Sequence, residues 1–106
     1  MITAPVATWI AFNTLTVIST MMSKNPNRNV AFGLALGTAA LSCALLSSGA
    51  LQLFLGMELT LWMLQNLVVI LALGVMPPGS DKGEIGKISI FSSIRLTAAL
   101  GIWLWV

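Results

Sequence analysis

One glutamate, Glu58, lies alone in an apolar stretch that runs from Leu51 to Met76 without another charged residue. The stretch is longer than the roughly 20 residues that an α-helix needs to cross a bilayer. A carboxylate at the bilayer centre costs about 3 kcal/mol, so it usually faces a partner or a water-filled path rather than lipid. Glu58 is therefore a candidate proton-relay group, or one half of a buried ion pair.

Two amide side chains follow Glu58 in the same stretch. Gln65 comes two helical turns later on the same face, and Asn66 lies one position round from it. Amides placed in this way could hold water molecules beside a relay carboxylate, or they could hydrogen-bond a neighbouring helix. The sequence leaves both roles open for Glu58, Gln65 and Asn66.

A second ionisable residue, Arg95, lies within the apolar sequence near the end of the chain. Its guanidinium stays charged and requires either a counter-charge or a route to the membrane surface. If the helices begin at Leu51 and Ile88 and run antiparallel, Glu58 and Arg95 differ in depth by roughly 8–10 Å. We expect a direct or water-linked pair across that gap to be strained, and a charge on another subunit is the alternative partner.

Composition places all these residues in a membrane. The chain has 106 residues, of which 58% are hydrophobic and only 8% charged, whereas soluble domains have about 25% charged residues. There is no histidine and only one cysteine, Cys43. We therefore expect a single transmembrane domain over 1–106 with no catalytic residue, no metal and no bound cofactor. A net charge of +2 gives no indication of nucleic-acid binding.

The hydropathy pattern predicts an all-α bundle of four transmembrane helices, with three helices as the alternative, over about 5–22, 30–46, 51–76 and 88–106. Ser47-Ser48-Gly49 is short enough to form a tight antiparallel turn, and Pro77-Pro78-Gly79 should end the third helix. With four helices, every lysine and arginine outside Arg95 falls on one side of the membrane. That side should be the matrix or the cytoplasm. The one-sided distribution of basic residues favours four helices over three.

Small residues recur at three- and four-residue spacing in the second predicted helix, at Gly33, Gly37, Ala40 and Ala44. Such a stripe lets two helix backbones approach closely, so we interpret it as a helix-packing surface. A glycine-rich ion-binding hairpin is the functional alternative.

Two short motifs resemble subunits of the membrane arm of respiratory complex I. Ser23-Lys24-Asn25-Pro26, followed by Val30 and Phe32, resembles the loop before the second span of NADH dehydrogenase subunit 6. Gly56-Met57-Glu58-Leu59 resembles the Gly-x-Glu-Leu motif of NADH dehydrogenase subunit 4L, in which this glutamate belongs to the proton path. The charge asymmetry favours subunit 6 and the glutamate motif favours subunit 4L.

The resemblance implies a membrane-arm subunit of an NADH:ubiquinone oxidoreductase, in the mitochondrial inner membrane or a bacterial inner membrane. Such a subunit would support proton translocation coupled to quinone reduction elsewhere in the complex. Its partners would be other membrane-arm subunits and lipids, and Glu58, Gln65 and Asn66 would form the relay. The alternatives are a structural accessory subunit of a respiratory complex, or a small four-span proton-coupled antiporter.

Overall fold

The computed structural model describes residues 3–23, 28–79 and 82–106, apart from the side chain of Glu84. These residues form four α-helices and no strand: α1 (Ala4–Met21), α2 (Arg28–Ser47), α3 (Leu51–Val75) and α4 (Gly83–Trp105). All four are long and apolar enough to cross a membrane. The prediction of an all-α membrane bundle with four helices rather than three is confirmed.

Turn-forming residues set the ends of these helices. Pro5 lies in the first turn of α1, where its missing N–H costs no hydrogen bond. The α2–α3 connection passes through Gly49, whose φ of +82° is a conformation that only glycine adopts freely. Pro77 and Pro78 follow the end of α3. The last helix, α4, begins at Gly83, five residues before the predicted start at Ile88.

The helices form two antiparallel hairpins. The first, α1 with α2, packs along much of its length, and so does the second, α3 with α4. The two hairpins meet less extensively, through α2 against α3 and α1 against α4. The resulting bundle is elongated, with Cα extents of 51 × 25 × 16 Å.

The hydrophobic core lies toward one end of the bundle. Its buried members come from the first half of α1, the end of α2, the start of α3 and the end of α4: Val6, Trp9, Leu46, Phe54, Ala99 and Ile102. Antiparallel packing brings those four helix segments together at the end that carries the start of α1, the end of α4 and the Gly49 turn. No lysine or arginine occurs in those terminal and turn segments, and we call this the uncharged end.

The opposite end carries Arg28, Lys82 and Lys87 and is called the charged end here. Arg28 is the first residue of α2, and Lys82 immediately precedes α4. Lys24 lies outside the described residues. Trp103 and Trp105 are exposed at the uncharged end, where indole rings can anchor a helix at the membrane interface. The apolar exterior and the four long helices indicate an integral membrane protein.

Candidate functional site: a buried ion pair that contacts all four helices

Glu58 lies two turns into α3, on the face that packs into the core, and its side chain is only 1% exposed. Phe54, one turn earlier on the same face, is fully buried as well. The apolar residues around Glu58 hold α3 against the other helices. They thereby remove the carboxylate from both lipid and water, so its charge must be compensated inside the bundle.

Arg95 supplies that compensation from α4. Its Nε donates a hydrogen bond of 2.8 Å to Oε2 of Glu58, and its Nη2 donates one of 2.9 Å to Oε1. The remaining terminal nitrogen, Nη1, donates a bond of 2.8 Å to Oδ1 of Asn13 on α1. The planar guanidinium therefore bridges α3 and α1, a geometry that a lysine ammonium does not reproduce.

Helix α2 completes the arrangement through Ser42, which is fully buried. The Ser42 hydroxyl donates a 2.9 Å hydrogen bond to Oε1 of Glu58 and accepts one of 2.7 Å from Nε1 of Trp9. Each of the four helices thus contributes at least one hydrogen-bonded side chain. We call this set the polar network: Trp9, Asn13, Ser42, Glu58 and Arg95.

Aromatic rings cover the polar network. The guanidinium carbon of Arg95 lies 4.9 Å from the centroid of the Trp9 ring, within the range of a cation–π interaction. Trp9 also packs edge-on against Phe54 and in a stacked arrangement against Phe12, with centroid distances of 5.3 and 5.4 Å. These contacts fix the indole whose N–H completes the hydrogen bonds of Ser42.

The charges and hydrogen bonds of the network are balanced. One carboxylate faces one guanidinium, and each oxygen of Glu58 accepts at least one hydrogen bond. Among the described residues, no buried side-chain nitrogen or oxygen lacks a partner. A buried ion pair of this kind strongly resists loss of one member, because the remaining charge would be left uncompensated. The arrangement is suited to holding the helices in one register.

The direct contact between Glu58 and Arg95 differs from the expected axial gap of 8–10 Å. The expected gap counted the depth of Arg95 from a fourth helix that starts at Ile88, whereas α4 starts at Gly83. Measured from Leu51 and Trp105 at the uncharged end, Glu58 lies about 10 Å deep and Arg95 about 15 Å deep. The long arginine side chain spans the remaining difference of about 5 Å.

The two amides expected beside Glu58, Gln65 and Asn66, are not part of the polar network. Gln65 is exposed, and it makes no side-chain hydrogen bond among the described residues. Asn66 faces α4, where its Oδ1 accepts a 2.6 Å bond from Ser89 and its Nδ2 donates a 3.3 Å bond to Ser92. Asn66 therefore joins α3 to α4, and neither amide bonds to Glu58.

The small-residue stripe of α2 lies outside the contacts within this chain. All four of its members are exposed: Gly33, Gly37, Ala40 and Ala44. A Cβ atom added at Gly33 or Gly37 would meet no atom within 4 Å. Helix α2 instead buries Ala39, Ser42 and Leu46. The close approach expected of the stripe is therefore not made between helices of this chain.

Sequence analysis did not identify Trp9, Asn13 or Ser42 as site residues. The available signal was a shared depth: measured from the uncharged end, Asn13 and Ser42 lie about 14 and 8 Å deep, close to Glu58 and Arg95. Serine is common in membrane helices, where it often bonds to its own backbone, so Ser42 alone gave no distinguishing sign.

Neither a metal nor a known relative adds to this picture. Across 3–23, 28–79 and 82–106, no cluster of three metal-binding side chains occurs. The chain matches no protein-family model, no curated protein and no solved structure. The site must therefore be interpreted from its geometry.

Proposed function

We propose that this chain is a structural subunit of a membrane assembly, and that the Glu58–Arg95 pair holds its four helices in one register. The observation that carries the proposal is the bidentate contact, in which Arg95 bonds both oxygens of Glu58 at 2.8 and 2.9 Å. Ser42 and Asn13 extend the contact to α2 and α1. The main charged groups inside the bundle are thus used to join helices.

The same contacts favour a structural role for Glu58 over proton relay. A relay carboxylate exchanges a proton with a neighbouring donor or water, which requires an accessible oxygen. The oxygens of Glu58 already accept three hydrogen bonds from Arg95 and Ser42, and the side chain is 1% exposed. Protonation would also remove one charge of the pair and leave the guanidinium of Arg95 without its counter-charge. The same argument weighs against a proton-coupled antiporter built around Glu58.

The exterior of the bundle supports assembly with other membrane proteins. The exposed stripe on α2 has the residue sizes and spacing that allow a second helix to approach closely. The bundle is also narrow, with Cα extents of 25 and 16 Å across its two shorter axes. Most of its side chains therefore face outward, toward lipid or toward other membrane helices.

The narrower form of the proposal is a subunit of the membrane arm of a respiratory NADH:ubiquinone oxidoreductase. It is supported by the Gly56-Met57-Glu58-Leu59 motif and by the basic loop that starts at Ser23. In that complex the chain would support proton translocation coupled to quinone reduction, and the mitochondrial inner membrane would be its location. The pairing of Glu58 makes scaffolding of neighbouring subunits the role that fits this chain best.

The test is to purify the tagged full chain from its native membrane in a mild detergent and to measure the mass of the particle. A structural subunit is expected to migrate in a particle heavier than one chain with its detergent. Co-purification of NADH:ubiquinone oxidoreductase activity would support the narrower form. A particle that contains a single chain at every detergent concentration would contradict the proposal.

A variant distinguishes scaffold from relay inside such an assembly. Replacing both charges, with Glu58→Leu and Arg95→Met together, removes the carboxylate but leaves an apolar interior of similar volume. A scaffold should still assemble and should support proton transport at the level of the unaltered chain. Retained assembly with loss of coupled proton transport would instead place the Glu58–Arg95 pair in the proton path.

A further inference from the structure

The two charged residues that lie far from both ends of their helices belong to one hairpin. Helix α1 contains no charged residue, and the only charged residue of α2, Arg28, is its first. Glu58 lies within α3 and Arg95 within α4, and these helices follow each other in the chain. The two charges can therefore meet as soon as the α3–α4 hairpin forms, without help from α1 or α2.

Arg95 is the more costly of the two charges to place in a membrane. It lies about 18 Å from the start of α4 and about 15 Å from its end, whereas Glu58 is only about 10 Å from the start of α3. A hydrocarbon core is about 30 Å thick, so Arg95 is close to its centre. A charge at that depth crosses only with a partner or with a distortion of the bilayer.

Three serines of α4 also bond to α3. Nε1 of Trp62 donates a 3.1 Å hydrogen bond to the hydroxyl of Ser93. Ser89 donates one of 2.6 Å to Oδ1 of Asn66, whose Nδ2 donates one of 3.3 Å to Ser92. The side chains of α3 that take part in these contacts and in the ion pair recur every four residues: Glu58, Trp62 and Asn66. One face of α3 thus meets polar groups of α4 over successive turns.

The hydrogen bonds from this hairpin to α1 and α2 act on a pair that is already joined. Asn13 accepts a bond from Nη1 of Arg95, and Ser42 donates one to Oε1 of Glu58. The two charges are bonded to each other twice without these partners. Helix α4 also packs far more extensively against α3 than against α1. The α3–α4 hairpin therefore compensates its own charges, and the first hairpin adds to a contact that exists without it.

We propose that α4 crosses the membrane only together with α3, because Glu58 compensates Arg95 as the hairpin enters. The dependence is one-sided. Helix α3 is the more apolar of the two and carries its charge nearer to a membrane surface, so it inserts without Arg95, whereas α4 does not insert without Glu58. The inference rests on the proposed function, since it extends the role of the same pair from holding the helices to determining the topology of the chain.

The test is to determine on which side of the membrane α4 ends. Cys43→Ala removes the only cysteine, and Val106→Cys then marks the uncharged end. A membrane-impermeant maleimide is added to sealed vesicles from the expressing cells, and the labelled fraction is compared with that in opened vesicles. Pro78→Cys, which follows α3, marks the charged end in a parallel chain. The labelled fraction is measured after denaturation, so a variant that inserts but packs poorly is still scored.

In the cysteine-marked chain without further change, Val106→Cys and Pro78→Cys should be labelled from opposite sides. Glu58→Leu should raise the fraction of Val106→Cys on the charged side roughly 5-fold or more, because α4 then stays out of the bilayer. Adding Arg95→Met should return that fraction to its original value, since α4 no longer carries a deep charge. Unchanged labelling in Glu58→Leu, or no recovery in the double variant, would overturn the inference.

A matched control separates insertion of the hairpin from folding of the whole bundle. Asn13→Ala combined with Ser42→Ala removes the hydrogen bonds from α1 and α2 to the pair but keeps both charges. This variant should leave Val106→Cys on the uncharged side. A shift as large as that of Glu58→Leu would overturn the inference, because the complete bundle, and not the hairpin, would then be what carries α4 across.

Failure of this inference is distinct from failure of the proposed function. The structural role of the pair is judged from unfolding in mixed micelles, where no helix has to cross a membrane. A Glu58→Leu chain with α4 correctly inserted but with reduced unfolding free energy would remove the insertion role and retain the structural pair. A chain whose α4 stays out of the membrane, but whose unfolding in micelles is unaffected, would do the reverse.

Discussion

Glu58 and Arg95, separated by 37 positions in the chain, meet inside the bundle through two hydrogen bonds of 2.8 and 2.9 Å. The pair is linked to Asn13 on α1 and to Ser42 on α2. A single ion pair thereby contacts every helix, and the register of each helix can be tested by substitution.

The hydroxyl of Ser42 links Trp9 to Glu58, so Ser42→Ala should destabilise the bundle. The substitution leaves the buried Nε1–H of Trp9 without an acceptor and removes one hydrogen bond to the carboxylate, at a cost of about 1–3 kcal/mol. The free energy of unfolding is measured by SDS titration in mixed micelles, with helix content followed by circular dichroism.

Ser48→Ala is the matched control for that measurement. Ser48 is exposed and its hydroxyl donates to the carbonyl of Leu45 within its own turn, so loss of the hydroxyl should change the unfolding free energy by at most about 0.5 kcal/mol. If Ser42→Ala is as harmless as Ser48→Ala, the hydroxyl does not join the helices as described.

Arg95→Lys tests the fork geometry of the guanidinium while the positive charge is retained. Arginine reaches Oε1 and Oε2 of Glu58 and Oδ1 of Asn13 at once, whereas an ammonium group is a compact point charge. We expect a loss of about 1–3 kcal/mol in the same titration, because at least one buried acceptor loses its donor. Unchanged stability would mean that charge alone, and not geometry, holds α1 to α4.

Phe54→Ala tests whether the aromatic packing around the network contributes to stability. Phe54 is fully buried against Trp9, and we expect a loss of about 3 kcal/mol from the cavity that the substitution leaves. Lipid is as apolar as the core, so the loss reflects packing contacts rather than the hydrophobic effect.

Phe91→Ala makes the same change at a phenylalanine that is 65% exposed. In micelles that each hold one copy of the chain, the substitution should lower the free energy of unfolding by well under 1 kcal/mol, because surface substitutions usually cost about 0.5 kcal/mol or less. Equal losses for the two variants would show that the burial of Phe54 is not what stabilises the uncharged end.

The helices could be predicted because their signal is local. Apolar length, Pro77-Pro78 and the short Ser47-Ser48-Gly49 turn determine four segments without any knowledge of how they pack. The start of α4 was harder to predict, since the segment from Gly83 to Lys87 is helical although it is polar and contains glycine. That single boundary changed the expected depth of Arg95 relative to Glu58.

The polar network could be predicted only in part. Glu58 and Arg95 stand out because a charge in an apolar helix is rare. Ser42 and Asn13 are ordinary residues whose role depends on which face of α2 or α1 meets the carboxylate. The hydrophobic pattern of these helices is nearly uniform around their circumference, because lipid and core are both apolar. For the same reason the sequence could not reveal that Gln65 is exposed although it shares a face with Glu58.

The central claim is that the Glu58–Arg95 pair is a structural link, and a double-mutant cycle of unfolding free energies tests it most directly. The cycle compares the unaltered chain, Glu58→Leu, Arg95→Met and the double variant in the same mixed micelles. Each single variant leaves one uncompensated charge and should lose about 3–5 kcal/mol, whereas the double variant should recover most of that loss. Losses in the two single variants that simply add in the double variant, or single variants as stable as the unaltered chain, would contradict the claim.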